Sequence, residues 1–151
     1  MPQSLSAVYI HLVFSTKERF PLLRDLDLRQ ATFAYLSGTS KKLDCPTIAA
    51  GGMPDHVHIL ARLGRTISQA DWVKEVKRVT NGWLKKQGPQ FSKFECQSGD
   101  AAFPVSQSNL NRVKKYINDQ ETHHRKFSLQ DEFRALLRKH QIDFDERYMW
   151  D

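Results

Sequence analysis

The chain has 151 residues, which is room for one domain with a real core and too little for two independent ones. Hydrophobic residues make up 40% and charged residues 26%; this balance excludes a disordered chain, and no apolar run approaches the roughly 20 residues of a membrane span. Lys and Arg number 23 against 17 Asp and Glu, for a net charge of +6, which favours a polyanionic partner without establishing one.

Residues 7–15 (AVYIHLVFS) are rich in β-branched and aromatic side chains and closed by a charged stretch, so they read as the first strand. After Pro21, Leu22, Leu26, Arg29, Phe33 and Leu36 recur at helical spacing up to Gly38. Residues 47–50 and 56–62 are short apolar runs joined by Gly51-Gly52-Met53-Pro54-Asp55, a composition that suits a hairpin. The next helix has Ser68 as its cap and a stripe of Trp72, Val76, Val79 and Trp83, while Lys74, Lys77, Arg78 and Lys85 occupy its other face. Residues 101–106 supply a fourth strand after Gly88-Pro89 ends that helix. The order βαββαβ predicts an α+β, ferredoxin-like core with an antiparallel sheet.

Two further helices are expected, from about residue 108 to 125 and from the cap Ser128 to about His140. A tail with Ile142, Phe144, Tyr148 and Trp150 has the aromatic content of a segment that packs. Residues 1–7 lack the layout of a signal peptide, so one cytosolic domain over 1–151 is expected, without a membrane. Cys45 and Cys96 have no zinc or disulfide spacing and read as reduced thiols.

His56 and His58 are two apart on a strand and therefore project from one pleat face, where two imidazoles can share a metal ion. The plainer reading is surface decoration or a satisfied hydrogen-bonded pair. Tyr116 falls outside the stripe of Leu110, Val113 and Ile117, on a face with Arg112, Gln120 and His123. Spacing alone favours a tyrosine packed at a helix seam, and His123-His124 can be read as answering the helix dipole.

The segments YIHLVFSTKERFPLL (9–23), PDHVHIL (54–60) and AAFPVSQSNLNRVKKYINDQETHHRKFSLQDEFRALLRKHQIDFDERYMW (101–150) resemble the single-tyrosine, IS200-like transposases, a group with REP-associated relatives. The resemblance covers nearly the whole chain and rests on the His-hydrophobe-His and Tyr-Ile-x-x-Gln motifs. It implies that His56, His58 and Gln120 ligate a divalent metal, Mg²⁺ or Mn²⁺, and that Tyr116 is the nucleophile. It also implies a homodimer that nicks and rejoins single-stranded DNA, with hairpin or palindromic elements, through a 5′-phosphotyrosine. Residues 91–100 (FSKFECQSGD) depart from the family pattern, which leaves the start of the fourth strand open.

Lys74, Lys77, Arg78 and Lys85, with Arg112, Lys114 and Lys115 near the tyrosine, are candidates to track a DNA backbone. The alternatives are a non-cleaving nucleic-acid-binding regulator derived from such a transposase, and a small-molecule metallohydrolase. The second needs a carboxylate near the histidines, and only Asp55 is adjacent in sequence.

Overall fold

Period-two alternation along the strands decides the layering of the molecule. In β1 (Tyr9–Ser15) and β3 (His56–Arg62), the side chains of Ile10, Leu12, Phe14, Val57, Ile59 and Ala61 join the main apolar cluster. The intervening His11, Val13, Ser15, His56, His58 and Leu60 therefore project from the opposite face. These positions come from a computed structural model that describes residues 3, 5–120, 128–147 and 149.

With β2 (Thr47–Met53) and β4 (Ala101–Val105), the strands form one antiparallel sheet in the order β2-β3-β1-β4. That is the ferredoxin-like order expected from βαββαβ. Register places Val13 opposite His58 and Ser15 opposite His56. Strand β2 runs farther than expected, through Gly51 and Gly52 to Met53, which pairs with His56, so only Pro54 and Asp55 turn the chain. Gly52 has φ +156°, and any Cβ there would collide with the carbonyl of His56.

Helices α1 (Leu26–Lys42) and α2 (Gln69–Lys85) cover the first face. Asp25 accepts from Leu28 N at 2.9 Å and Ser68 accepts from Asp71 N at 3.0 Å, so both starts are capped. Helix α1 does not stop at Gly38. It continues to Lys42 because Ser40, fully buried, holds the Trp72 indole N–H at 2.9 Å, and packing outweighs one glycine. The buried stripe of α2 is Trp72, Val73, Val76, Thr80 and Leu84, rotated from the expected one. Trp83 lies at the flank, half-buried and stacked on Tyr35.

The second face is covered by α3 (Leu110–Asn118) and α4 (Leu129–Lys139). Helix α3 is shorter than the expected 108–125: residues 107–109 form a 3₁₀ turn and a cap at Asp119 ends it, while 121–125 lie outside the described residues. It approaches β2 so closely that a Cβ on Gly51 would sit 2.5 Å from the carbonyl oxygen of Ile117. Phe133 and Leu137 of α4 pack on Val13, Ala101 and Phe103. Ser128 accepts from Asp131 N, as its cap position predicts.

The irregular segment before β4 is anchored by Phe91 and Phe94 in the core and by the Thr16–Cys96 bridge. Lys77 donates to the carbonyls of Gln97 and Gly99, and β4 begins at Ala101 as read from the sequence. In the tail, Phe144 and Met149 pack against the α4 cluster while Ile142 is exposed. Tyr148, Trp150, His123 and His124 lie outside the described residues. Among the described residues no helix is long and apolar enough to cross a membrane.

Candidate active site

His56 and His58 lie on the sheet face turned away from α1 and α2, as their alternation predicts. Both imidazoles have 0% exposure, because α3 and α4 close over them. Beneath those helices five side chains meet, from β3, α3, the residue after the α3 cap, and α4.

His56 Nε2 stands 3.1 Å from Gln120 Oε1, and His58 Nε2 stands 2.9 Å from Glu132 Oε1. The Tyr116 hydroxyl donates a short hydrogen bond to the same Glu132 oxygen, and Gln120 Nε2 lies 3.4 Å from it. Ligand atoms of His56, His58 and Glu132 all fall within 4.8 Å of one another. Behind the pair, Asp55 Oδ1 is 2.8 Å from His56 Nδ1, and His11 Nε2 is 2.8 Å from His58 Nδ1.

These distances constrain the protons. Ionised Asp55 only accepts, so His56 Nδ1 carries a hydrogen and a neutral ring then turns the Nε2 lone pair toward the Gln120 oxygen. Two acceptors at 3.1 Å call for something positive between them. The donor set that results, two imidazoles, one amide oxygen and one carboxylate, fits a divalent cation. Glu132, nearly fully buried, would otherwise be a costly charge.

Electrostatics at the site suppress spontaneous ionisation. Burial pushes the Tyr116 phenol well above its ordinary range, and the charge and hydrogen bond of Glu132 raise it further. Burial, reinforced by His58, lowers His11 to about 3, so His11 is neutral. The tyrosine ring is itself packed, half-buried against the cluster of Ala49, Leu60 and Ile117. Here the seam reading and the chemical reading coincide: the ring is at the seam and the hydroxyl is at the carboxylate.

A cavity of about 360 Å³ between α3 and α4 reaches this cluster, lined by His11, Val113, Tyr116, Glu132 and Leu136, with Arg112 and Lys139 among its walls. The basic residues do not form one track. Arg112 borders the cavity, and Lys114 and Lys115 are exposed on α3. Lys74, Lys77 and Arg78 line a separate groove on α2, and Lys85 is exposed near that helix's end, across the sheet from the histidines. Lys77 is committed to the 97–100 loop and Arg78 to Glu75 at 2.8 Å.

The sequence reading missed Glu132 and His11. Glu132 is next to Phe133 in an amphipathic helix and looks like one of its polar positions; only the docking of α4 on the second sheet face turns it inward. His11 did carry a signal, since it shares the period-two face of β1 with Val13, the cross-strand partner of His58.

Residues 4–120 match the family model of IS200-like transposases. No curated protein matches the chain. Among solved structures, a candidate transposase from Deinococcus radiodurans R1 aligns with a TM-score of 0.59 and 21% identity, over 80% of this chain and 95% of that one. A REP-associated tyrosine transposase bound to a REP hairpin aligns with a TM-score of 0.59 and 11% identity, over 82% and 72% respectively. At these identities the two structures speak for the fold, while the family match spans more than half of the sequence and includes His56, His58, Tyr116 and Gln120. The chain belongs to the IS200-like transposase family.

Proposed function

We propose that this protein is a metal-dependent transesterase that nicks and rejoins single-stranded DNA, with Tyr116 as nucleophile. The observation that carries the reading is the convergence of the Tyr116 hydroxyl on the same buried point as His56, His58, Gln120 and Glu132. His56, His58, Gln120 and Glu132 would hold Mg²⁺ or Mn²⁺, the two imidazoles favouring Mn²⁺. Bound there, the ion would polarise the scissile phosphate and offset negative charge on the phenol oxygen.

The residues of the chain do the rest. Tyr116 Oη attacks phosphorus, forming one P–O bond as the bond to the 3′ oxygen breaks. A 5′-phosphotyrosine and a free 3′-hydroxyl result. Glu132, which accepts the phenolic hydrogen bond, would take that proton, and the leaving 3′ oxygen would take one from water. One phosphodiester is exchanged for another, so the reversal that rejoins the strand needs no nucleotide. The cavity beside Tyr116 and Arg112 is the approach for the phosphate.

Hairpin-bearing single-stranded DNA is the proposed partner, in keeping with the fold neighbour that binds a REP hairpin. Arg112, Lys114 and Lys115 are the proposed backbone contacts near the nucleophile. Lys74, Lys77, Arg78 and Lys85 are the proposed contacts for a distal stretch. A homodimer is the proposed assembly, and sedimentation as a monomer at micromolar concentration would contradict it. The whole reading is tested by incubating the protein with Mn²⁺ and single-stranded DNA from the flanks of its own gene. A protein–DNA adduct that survives a denaturing gel is expected; its absence across all flanking strands would overturn the proposal.

A further inference from the structure

Each of the two histidines uses Nε2 toward the converging oxygens, so each must have its Nδ1 answered from behind. For His56 the answer is the carboxylate of Asp55, the residue beside it in the β2–β3 turn. For His58 the partner behind the ring is an imidazole. Its Nδ1 lies 2.8 Å from Nε2 of His11, the ring one strand away on the same sheet face. The two rings stack at 5.1 Å with an interplanar angle of 27°. His11 is 3% exposed, and the rings of Phe103 and Tyr116 also lie beside it, both at 6.1 Å. It is a buried imidazole wedged between aromatic groups, with its Nε2 turned to His58.

We propose that His11 is a positioning residue: its Nε2 accepts the Nδ1 hydrogen of His58 and thereby fixes both the tautomer and the ring plane that present His58 Nε2 as a metal-ligating nitrogen. Metal-bound histidines generally have their second nitrogen held in this way, most often by a carboxylate or carbonyl. Here a neutral ring takes that place for one ligand while a charged group takes it for the other. The site thus has an asymmetric outer shell, Asp55 behind His56 and His11 behind His58. Because both acceptors are built into strand β1 and the β2–β3 turn, the two ligand planes are set by the sheet itself, before Gln120, just past the α3 cap, and Glu132 of α4 join them.

The inference rests on the metal reading of the site, and the test separates the two. Mn²⁺ binding to the full-length protein is measured by titration calorimetry for the wild type, His11→Phe and His11→Gln. Phe keeps the ring and its stacking but has no acceptor, whereas Gln places an oxygen near the lost Nε2. His11→Phe should bind Mn²⁺ about 10- to 100-fold more weakly, and His11→Gln should recover part of that loss. A purely structural role would lower thermal stability in both variants without this ordering of affinities. Equal affinity of wild type and His11→Phe, within about twofold, overturns the inference and leaves the metal reading intact; wild type that binds no Mn²⁺ overturns the metal reading, and the inference with it. Should His11→Phe fail to fold, nitrogen-15 histidine spectra of Mg²⁺-saturated wild type decide the matter. Hydrogen on His58 Nδ1 supports the inference, and hydrogen on His58 Nε2 refutes it.

Discussion

Replacing Tyr116 by Phe removes one oxygen and, with it, the hydroxyl that donates to Glu132. The ring keeps its packing against the Ala49, Leu60 and Ile117 cluster. A hydrogen bond to a charged acceptor contributes about 1.5–3 kcal/mol net. The lower end applies here, since Gln120 Nε2 still lies 3.4 Å from Glu132 Oε1 after the substitution. A loss of about 1.5 kcal/mol in a domain of this size corresponds to a fall in Tm of roughly 3–6 °C. The assay is thermal unfolding followed by circular dichroism at neutral pH in excess EDTA, which keeps metal from masking the difference. An unchanged Tm, or a variant more stable than wild type, would refute the placement of the phenol on Glu132.

Acid should destabilise the metal-free protein through His11. Its native pKa of about 3 lies below the ordinary 6.5, so as pH falls below 6.5 the unfolded chain takes up a proton that the native state refuses. Stability from this group is therefore complete above about pH 6.5 and is lost toward pH 3, by roughly 1.4 kcal/mol per pH unit; urea unfolding in EDTA at pH 7.5 and pH 5 should show that slope in wild type and a shallower one in His11→Phe. Gly51→Ala should weaken both folding and cleavage, because its Cβ would meet the Ile117 carbonyl at 2.5 Å and lift α3, with Tyr116, off β2; unchanged melting and cleavage would show that α3 does not seat there. Lys77→Ala should cost stability more than DNA affinity, since Lys77 holds the 97–100 loop, whereas Lys114→Ala with Lys115→Ala should weaken DNA binding and flatten its salt dependence without moving Tm. The opposite ordering in a filter-binding and melting comparison would reassign the DNA face.

Local pattern carried the fold well wherever a periodic stripe met a good cap, as at Ser68 and Ser128, and the histidine pair was legible because strand alternation is strict. What could not be read was depth. Nothing in the spacing of α3 and α4 says that they fold back over the second sheet face and bury the pair. The same blind spot hid Glu132, whose carboxylate enters the site from a helix more than seventy residues downstream of His58. Its presence also changes the chemistry. Two histidines and a glutamine would leave a bound dication its full charge, while Glu132 halves it and supplies a proton acceptor for the phenol. The objection that a hydrolase would find no carboxylate besides Asp55 no longer stands; it is the family match over residues 4–120, together with a tyrosine on that carboxylate, that weighs for transesterification.

The central claim is that Tyr116 carries the covalent intermediate. Peptide mass mapping of the adduct formed with Mn²⁺ and single-stranded DNA tests it most directly. The account predicts the nucleotide mass on the peptide containing Tyr116, and no adduct at all from Tyr116→Phe. A nucleotide found on the peptide of Tyr9, Tyr35 or Tyr148, or an adduct that persists in Tyr116→Phe, would contradict it.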